Sequence, residues 1–211
     1  MTREWLWEKV AERTIKNLKS HGFDPHYCKG RDEAIGLVMD MVGPYSSVGI
    51  GGSNTVRALG LVGQLERMGK EVFDHWRPGI SKEEELHIRL MQGRSECFLT
   101  SANAISETGE IVNVDGIGNR TAAMSFGPKK VIVIAGMNKV RPDLISALNR
   151  VKEVAGPMRA KSLGLNTPCS ETGICNDCNS PQRICRITTI LHRKPGLTDV
   201  SVILVGEELG F

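Results

Sequence analysis

Long apolar runs are missing from this 211-residue chain. The longest, V-I-V-I-A-G-M at Val131 to Met137, has the length of a buried strand and is far too short to cross a bilayer. The first residues, M-T-R-E-W-L-W-E-K-V, mix acids and bases with their apolar side chains, unlike the uninterrupted apolar stretch of a secretory leader. A soluble, cytoplasmic protein without a membrane partner is therefore expected. Excess charge of one sign is missing too. The 27 basic and 24 acidic residues leave a formal +3, and the bases are scattered, which argues against a nucleic-acid partner. There is no internal repeat and no low-complexity tract. The five histidines, His21, His26, His75, His87 and His192, make no H-x-x-H or H-E-x-x-H pattern. No Ser-His-Asp arrangement can be read from spacing, and no flavin or nicotinamide motif is visible.

With 40% hydrophobic residues, the chain has enough apolar material for one sizeable core, so 1–211 reads as a single domain. Helical periodicity predicts helices over 2–20, from a Thr2 cap, and over 32–42, closed by Gly43-Pro44. It predicts further helices from Val56 to Met68, 82–91, 119–125, and Pro142 to Val154 with Pro at the first turn. Strands are expected at 47–50, 71–73, 97–100, 111–114, 131–135, 187–192 and 200–205. The alternation argues an α/β fold, a largely parallel sheet flanked by helices. Trp5 and Trp7 flank the apolar stripe of the first helix, where core or subunit packing is favoured over stacking on a cofactor.

Four cysteines crowd the C-terminal third: Cys169, Cys175, Cys178 and Cys185, spaced C-x5-C-x2-C-x6-C. A two-residue gap lets one turn aim two soft thiolates at a single ion or cluster, and Gly173, Asn176, Asp177, Asn179, Ser180 and Pro181 supply turn residues. Disulfides and unligated thiols are the competing readings, and disulfides suit a small secreted scaffold better than this chain. Structural zinc usually shows two short knuckles, whereas one is present here, which tilts the spacing toward an iron–sulfur centre of the 4Fe-4S type and away from zinc. The metal loop is bounded at 165–186. Cys28 and Cys97 stand apart and read as small buried hydrophobes.

Two further segments could carry chemistry. In V-G-I-G-G-S-N-T, a strand runs through glycines into a helix. Gly51, Gly52, Ser53, Asn54 and Thr55 are therefore candidates to bind an anion, against the alternative of an ordinary capped turn. The stretch from Thr100 to Met124 packs Asn103, Glu107, Asn113, Asp115, Asn119 and Arg120 into apolar, glycine-rich surroundings. Glu107 or Asp115 would act as general base, with Asn103 or Asn119 orienting a substrate oxygen. Asx-turns, helix caps and an Asp–Arg ion pair would use the same residues. Lys139, after the Val131 strand, is placed to meet an anionic ligand or to be a solvated loop charge.

The stretch T-S-A-N-A-I-S-E-T-G-E-I-V-N-V-D-G-I-G-N-R-T-A-A-M-S-F-G-P-K-K-V-I-V-I-A-G-M-N-K-V, the cysteine segment and the final V-I-L-V-G-E-E-L-G-F together resemble the LUD (lactate utilisation) family. The cysteines place the chain nearest that family's stand-alone, cysteine-bearing branch. The resemblance implies a fold like the ribose-5-phosphate isomerase and CoA-transferase superfamily, with an oxyanion held at Gly51 to Thr55. It also implies a redox or accessory role in lactate or other 2-hydroxy-acid metabolism, with a redox partner protein and self-association left open. The alternative is an isomerase- or transferase-type enzyme acting on a sugar phosphate, small acid or acyl substrate, with structural zinc.

Overall fold

A computed structural model of the chain describes residues 2–211. The elements run α1 (Thr2–Ser20), β1 (Asp24–Cys28), α2 (Arg31–Val42), β2 (Ser47–Ile50), α3 (Asn54–Ala58), α4 (Leu61–Arg67), β3 (Glu71–Asp74), α5 (Lys82–Gln92) and β4 (Cys97–Thr100). They continue β5 (Ala104–Ser106), β6 (Ile111–Asp115), α6 (Asn119–Ser125), β7 (Lys130–Gly136), β8 (Val140–Arg141), α7 (Leu144–Arg150), α8 (Gly156–Ser162), α9 (Pro168–Thr172), β9 (Ile187–Leu191) and β10 (Asp199–Val205). Six strands form a wholly parallel sheet in the order β1-β10-β7-β4-β2-β3. A second sheet, β8-β5-β6-β9, pairs β6 antiparallel with both neighbours and joins β5 to β8 in parallel.

The parallel sheet is covered on both faces, and the two-residue period of its strands sorts the core. Val131, Val133 and Ala135 of β7 join Val200, Val202 and Leu204 of β10 beneath Ala11 and Leu18 of α1. Ile132, Ile134, Ile203 and Val205 point the other way, onto Ala34 and Val38 of α2 and Leu61 and Leu65 of α4. A smaller cluster seats α7 on the second sheet through Ala104, Val112, Ala147 and Val151. Trp7 packs against the first core face while Trp5 stays exposed. No described helix is long and apolar enough to cross a membrane.

Several boundaries differ from the sequence pattern for identifiable reasons. The helix expected from Val56 to Met68 is two short ones, because Gly60 turns left-handed at φ +62° between them. Strand β1 carries Pro25, which hides it from a strand pattern yet is tolerated on a sheet edge. The helix expected from Pro142 starts two residues later, at Leu144, capped by Asp143, whose carboxylate accepts from the Ser146 amide at 2.7 Å. It then runs on past Val154. Pro157 has no N–H to give and crowds the preceding turn, and the chain widens there into a π turn over Val151–Ala155, with the Gly156 amide donating to Val151 O.

Candidate functional site

The carboxyl ends of the parallel strands open on a cavity of about 230 Å³, the usual place for a ligand in such a sheet. β2 delivers Gly52 to Thr55, β3 delivers His75 and Trp76, β4 delivers Ser101 to Asn103, and the turn after β7 delivers Lys139. The second sheet adds Val114 and Asp115, α6 adds Asn119 and Arg120, and α8 adds Arg159.

Charge is lopsided here. Arg89, Arg120, Lys139 and Arg159 border the cavity, and Asp115 is its lone side-chain carboxylate among the described residues. Arg89 pairs with Glu85, and Arg120 lies 2.7 Å from Asp115. Lys139 and Arg159 have no carboxylate partner among the described residues. The Lys139 amine, 3% exposed, donates to Thr55 Oγ1 and Ser101 Oγ, both at 2.9 Å. Burial, with Arg150 and Arg120 nearby, pushes its pKa down to about 7. Arg159 lies over the Trp76 ring at 4.7 Å, as Arg57 does at 4.4 Å, and its pKa is lowered by burial and then by Arg120 and Arg57.

The glycine turn divides its labour. Gly51 lies beneath the cavity floor, where a Cβ would meet Phe98 at 2.8 Å, and its amide donates to Leu99 O at 2.9 Å. It is a packing glycine, with its N–H spent on the sheet. Gly52 borders the cavity. Ser53 caps α3 by accepting from the Val56 amide at 3.3 Å, and Asn54 Oδ1 lies 3.4 Å from Arg159. At five residues α3 has little dipole of its own, so the pull on an anion comes from the side-chain cations.

Of the four acid–base candidates, three border the cavity and one does not. Asp115 is fully engaged: one oxygen takes Arg120 Nε at 2.8 Å and the other caps α6 through the Thr121 amide at 3.0 Å. Asn103 Oδ1 accepts from the Val114 amide and from Arg120, both at 2.8 Å, so these two residues aim Arg120. Asn119 spends its amide on Gln92 and Arg89. Glu107 lies at the far end of the β5–β6 hairpin, paired with Arg13 at 2.9 Å and absent from the cavity wall, because the hairpin reverses direction between Ser106 and Ile111. Asn113 is buried against Met124. His75, Trp76, Arg89 and Arg159 were not picked out by sequence reasoning. The signal for the first two is their place directly after a strand, where side chains gather at the carboxyl edge of the sheet.

A second cavity, about 310 Å³, is bordered by all four clustered cysteines together with Val151, Gly156, Ala160 and Arg183. None of the four is in a disulfide. Cys169 rides on α9, whose Thr167 and Ser170 form a reciprocal cap, and Cys175, Cys178 and Cys185 come from irregular chain. Arg183 braces that chain, donating to Cys178 O at 2.7 Å, Cys185 O at 2.9 Å and the Asp177 carboxylate at 2.6 Å. Among the described residues no three His, Cys, Asp or Glu side chains converge closely enough to hold a single metal ion. The four cysteines line one cavity instead. Cys28 and Cys97 are buried elsewhere, and burial pushes their thiols up to about 11 and about 12.

The two cavities are neighbours, since Val114 and Ile184 border both. The family model described as LUD domain matches residues 11–205. A crystal structure of a DUF162 family protein from Deinococcus radiodurans is similar in fold, with a TM-score of 0.56 over 94% of this chain and 98% of that one at 15% identity. No curated protein matches the chain.

Proposed function

The chain belongs to the LUD domain family, and we propose that it binds a small anion in the cationic cavity and carries an iron–sulfur centre on Cys169, Cys175, Cys178 and Cys185. Its role on this reading is a redox or accessory component of lactate or other 2-hydroxy-acid metabolism, served by a redox partner protein. The observation that carries the reading is the shared wall: Val114 and Ile184 border both cavities, so an anion on one side and a centre on the other are neighbours. The donor set suits such a centre. Four free thiols surround one space, and a cluster spreads its thiolates over several irons, whereas one zinc needs every sulfur within about 2.3 Å. When bound, the centre supplies one-electron transfer.

The chain's own side chains account for the anion. Lys139 and Arg159 bring positive charge that pairs with no carboxylate among the described residues, and Asn103 and Asp115 hold Arg120 at the same wall. Ser53, Thr55 and Ser101 line the cavity with hydroxyls. One observation favours a second reading. A buried Lys139 amine near neutrality suits proton transfer, as in an isomerase- or transferase-type enzyme on a sugar phosphate, small acid or acyl substrate, with structural zinc. That reading keeps the likeness to the ribose-5-phosphate isomerase and CoA-transferase superfamily.

Protein purified without oxygen separates them. A visible absorbance that bleaches with dithionite, with about four irons per chain as in a cubane cluster, supports the first reading. Colourless protein with one zinc overturns it and favours the second.

A further inference from the structure

His75 sits directly after β3, 5% exposed, and lines the cavity. Its Nδ1 lies 2.7 Å from Gln92 Nε2. Gln92, the wholly buried last residue of α5, also reaches Ile50 O at 2.8 Å and Phe73 O at 3.2 Å through that same nitrogen, while its Oε1 accepts from Asn119 Nδ2 at 2.9 Å. These partners fix the amide's orientation. An oxygen in place of Nε2 would face two carbonyl oxygens, and a nitrogen in place of Oε1 would face the donor of Asn119.

The Gln92 amide shares its two protons among Ile50 O, Phe73 O and His75 Nδ1, and a proton on Nδ1 would face them at 2.7 Å, so Nδ1 is on the accepting side of this pair and bears no proton. A neutral imidazole then carries its proton on Nε2. Among the described residues that atom has no hydrogen-bond partner, and it lies against the glycine turn, where a Cβ on Gly52 would come within 3.2 Å. Arg89, Arg57, Asp74 and Glu85 are the charged groups around the ring, and burial with Arg89 disfavours the imidazolium.

We infer that His75 Nε2–H is a fixed, uncharged hydrogen-bond donor to the bound anion, held in one tautomer by Gln92 and aimed at a second acceptor oxygen beyond the anionic group. This rests on the anion reading of the cavity. It makes His75 a specificity residue. The cations at Lys139 and Arg159 recognise charge, and His75 recognises a hydroxyl, carbonyl or phosphoryl oxygen presented toward Gly52. Gln92 and Asn119 are positioning residues that act through the ring.

Long-range proton–nitrogen NMR reads the tautomer directly, with the His75 signals assigned by their loss in His75→Gln. The expected pattern is a neutral Nε2–H ring that stays neutral at about pH 5, where an ordinary histidine is protonated. Gln92→Leu should release it to a tautomer mixture. Binding is then measured calorimetrically with lactate, inorganic phosphate and glycerol 3-phosphate. For whichever binds wild type most tightly, His75→Leu should weaken binding roughly tenfold, about the worth of one hydrogen bond. His75→Gln, which keeps a donor near the Nε2 position, should recover most of it.

An Nδ1–H ring, an imidazolium at neutral pH, or undiminished binding by His75→Leu overturns the inference. In the last case, loss of binding in Lys139→Met would leave the anion site standing. Binding of none of the three probes to wild type would instead overturn the anion site, and the role of His75 with it.

Discussion

The two cavities differ in what holds their walls. The cationic cavity is built from the ends of four buried parallel strands, and nearly every polar group on it is already answered: Asp115 by Arg120 and Thr121, Asn103 by Arg120 and Val114, Asn119 by Gln92 and Arg89. The cysteine cavity is walled on one side by α7 and α8 and on the other by a loop in which only Thr167 and Ser170 are buried over 165–186. A hydrogen-bonded wall seated on a sheet is organised before any ligand arrives. A loop without apolar ballast needs its contents to be organised, as metallo-loops do. On the proposed reading, one site is a preformed receptor and the other a clasp closed by what it holds.

The largest effect should come from breaking the clasp. Cys178→Ser is expected to lose the metal and to speed proteolytic cutting within 165–186 by about tenfold or more, through cheaper local opening. Cys97→Ser, at a thiol buried in the main core, should lose none. Metal analysis and limited proteolysis of both variants check this, and full metal with an intact loop in Cys178→Ser would end the clasp idea.

Next is the floor of the receptor. Gly51→Val forces side-chain atoms against Phe98 and Thr100 and should destabilise the fold by about 1–3 kcal/mol, seen in denaturant unfolding. An unchanged midpoint would mean that Gly51 is not the packing residue described here.

Lys139→Met sharpens the contrast, because a preformed cation site stores a cost. The folded pKa near 7 lies below the ordinary lysine value of 10.5, so the unfolded chain binds the extra proton between those values. The cost is full below pH 7 and fades as pH rises toward 10.5. The variant should therefore gain more stability at roughly pH 6 than at roughly pH 9, while losing anion affinity. Thermal unfolding across that range, with and without phosphate, decides it.

The smallest effect belongs to Glu107→Ala. It removes a half-exposed pair with Arg13, worth up to about 1 kcal/mol, and should leave ligand binding untouched. A large loss of binding would place Glu107 back at the site.

The parallel sheet was legible because Val131 to Ala135, Ser47 to Ile50 and Val200 to Val205 are apolar runs of strand length between turn residues, and buried parallel strands look like that. The glycine turn and the Asn103–Arg120 stretch were legible as strand-end polar residues. What could not be read was direction. Glu107 and Asp115 look alike in sequence, and only the reversal between β5 and β6 sends one to the Arg13 surface and the other to the cavity. Arg159 was invisible for a related reason, since it reaches Trp76 from a helix more than eighty residues later in the chain. The spacing of the cysteines told that they belong together, and the shared cavity wall at Ile184 told what they are beside.

The π turn between α7 and α8 works as a phase shifter. Each residue added to a helix rotates everything beyond it by about 100°, and this single widened turn precedes a stretch whose residues are shared out between the two cavities. Ala155, Arg159 and Leu163 border the cationic cavity, while Val151, Gly156 and Ala160 border the cysteine cavity. Deleting one residue there would restore an unbroken α ladder and turn Arg159 off the indole by nearly a third of a revolution. The angular setting of one five-residue segment thereby decides which cavity receives the arginine.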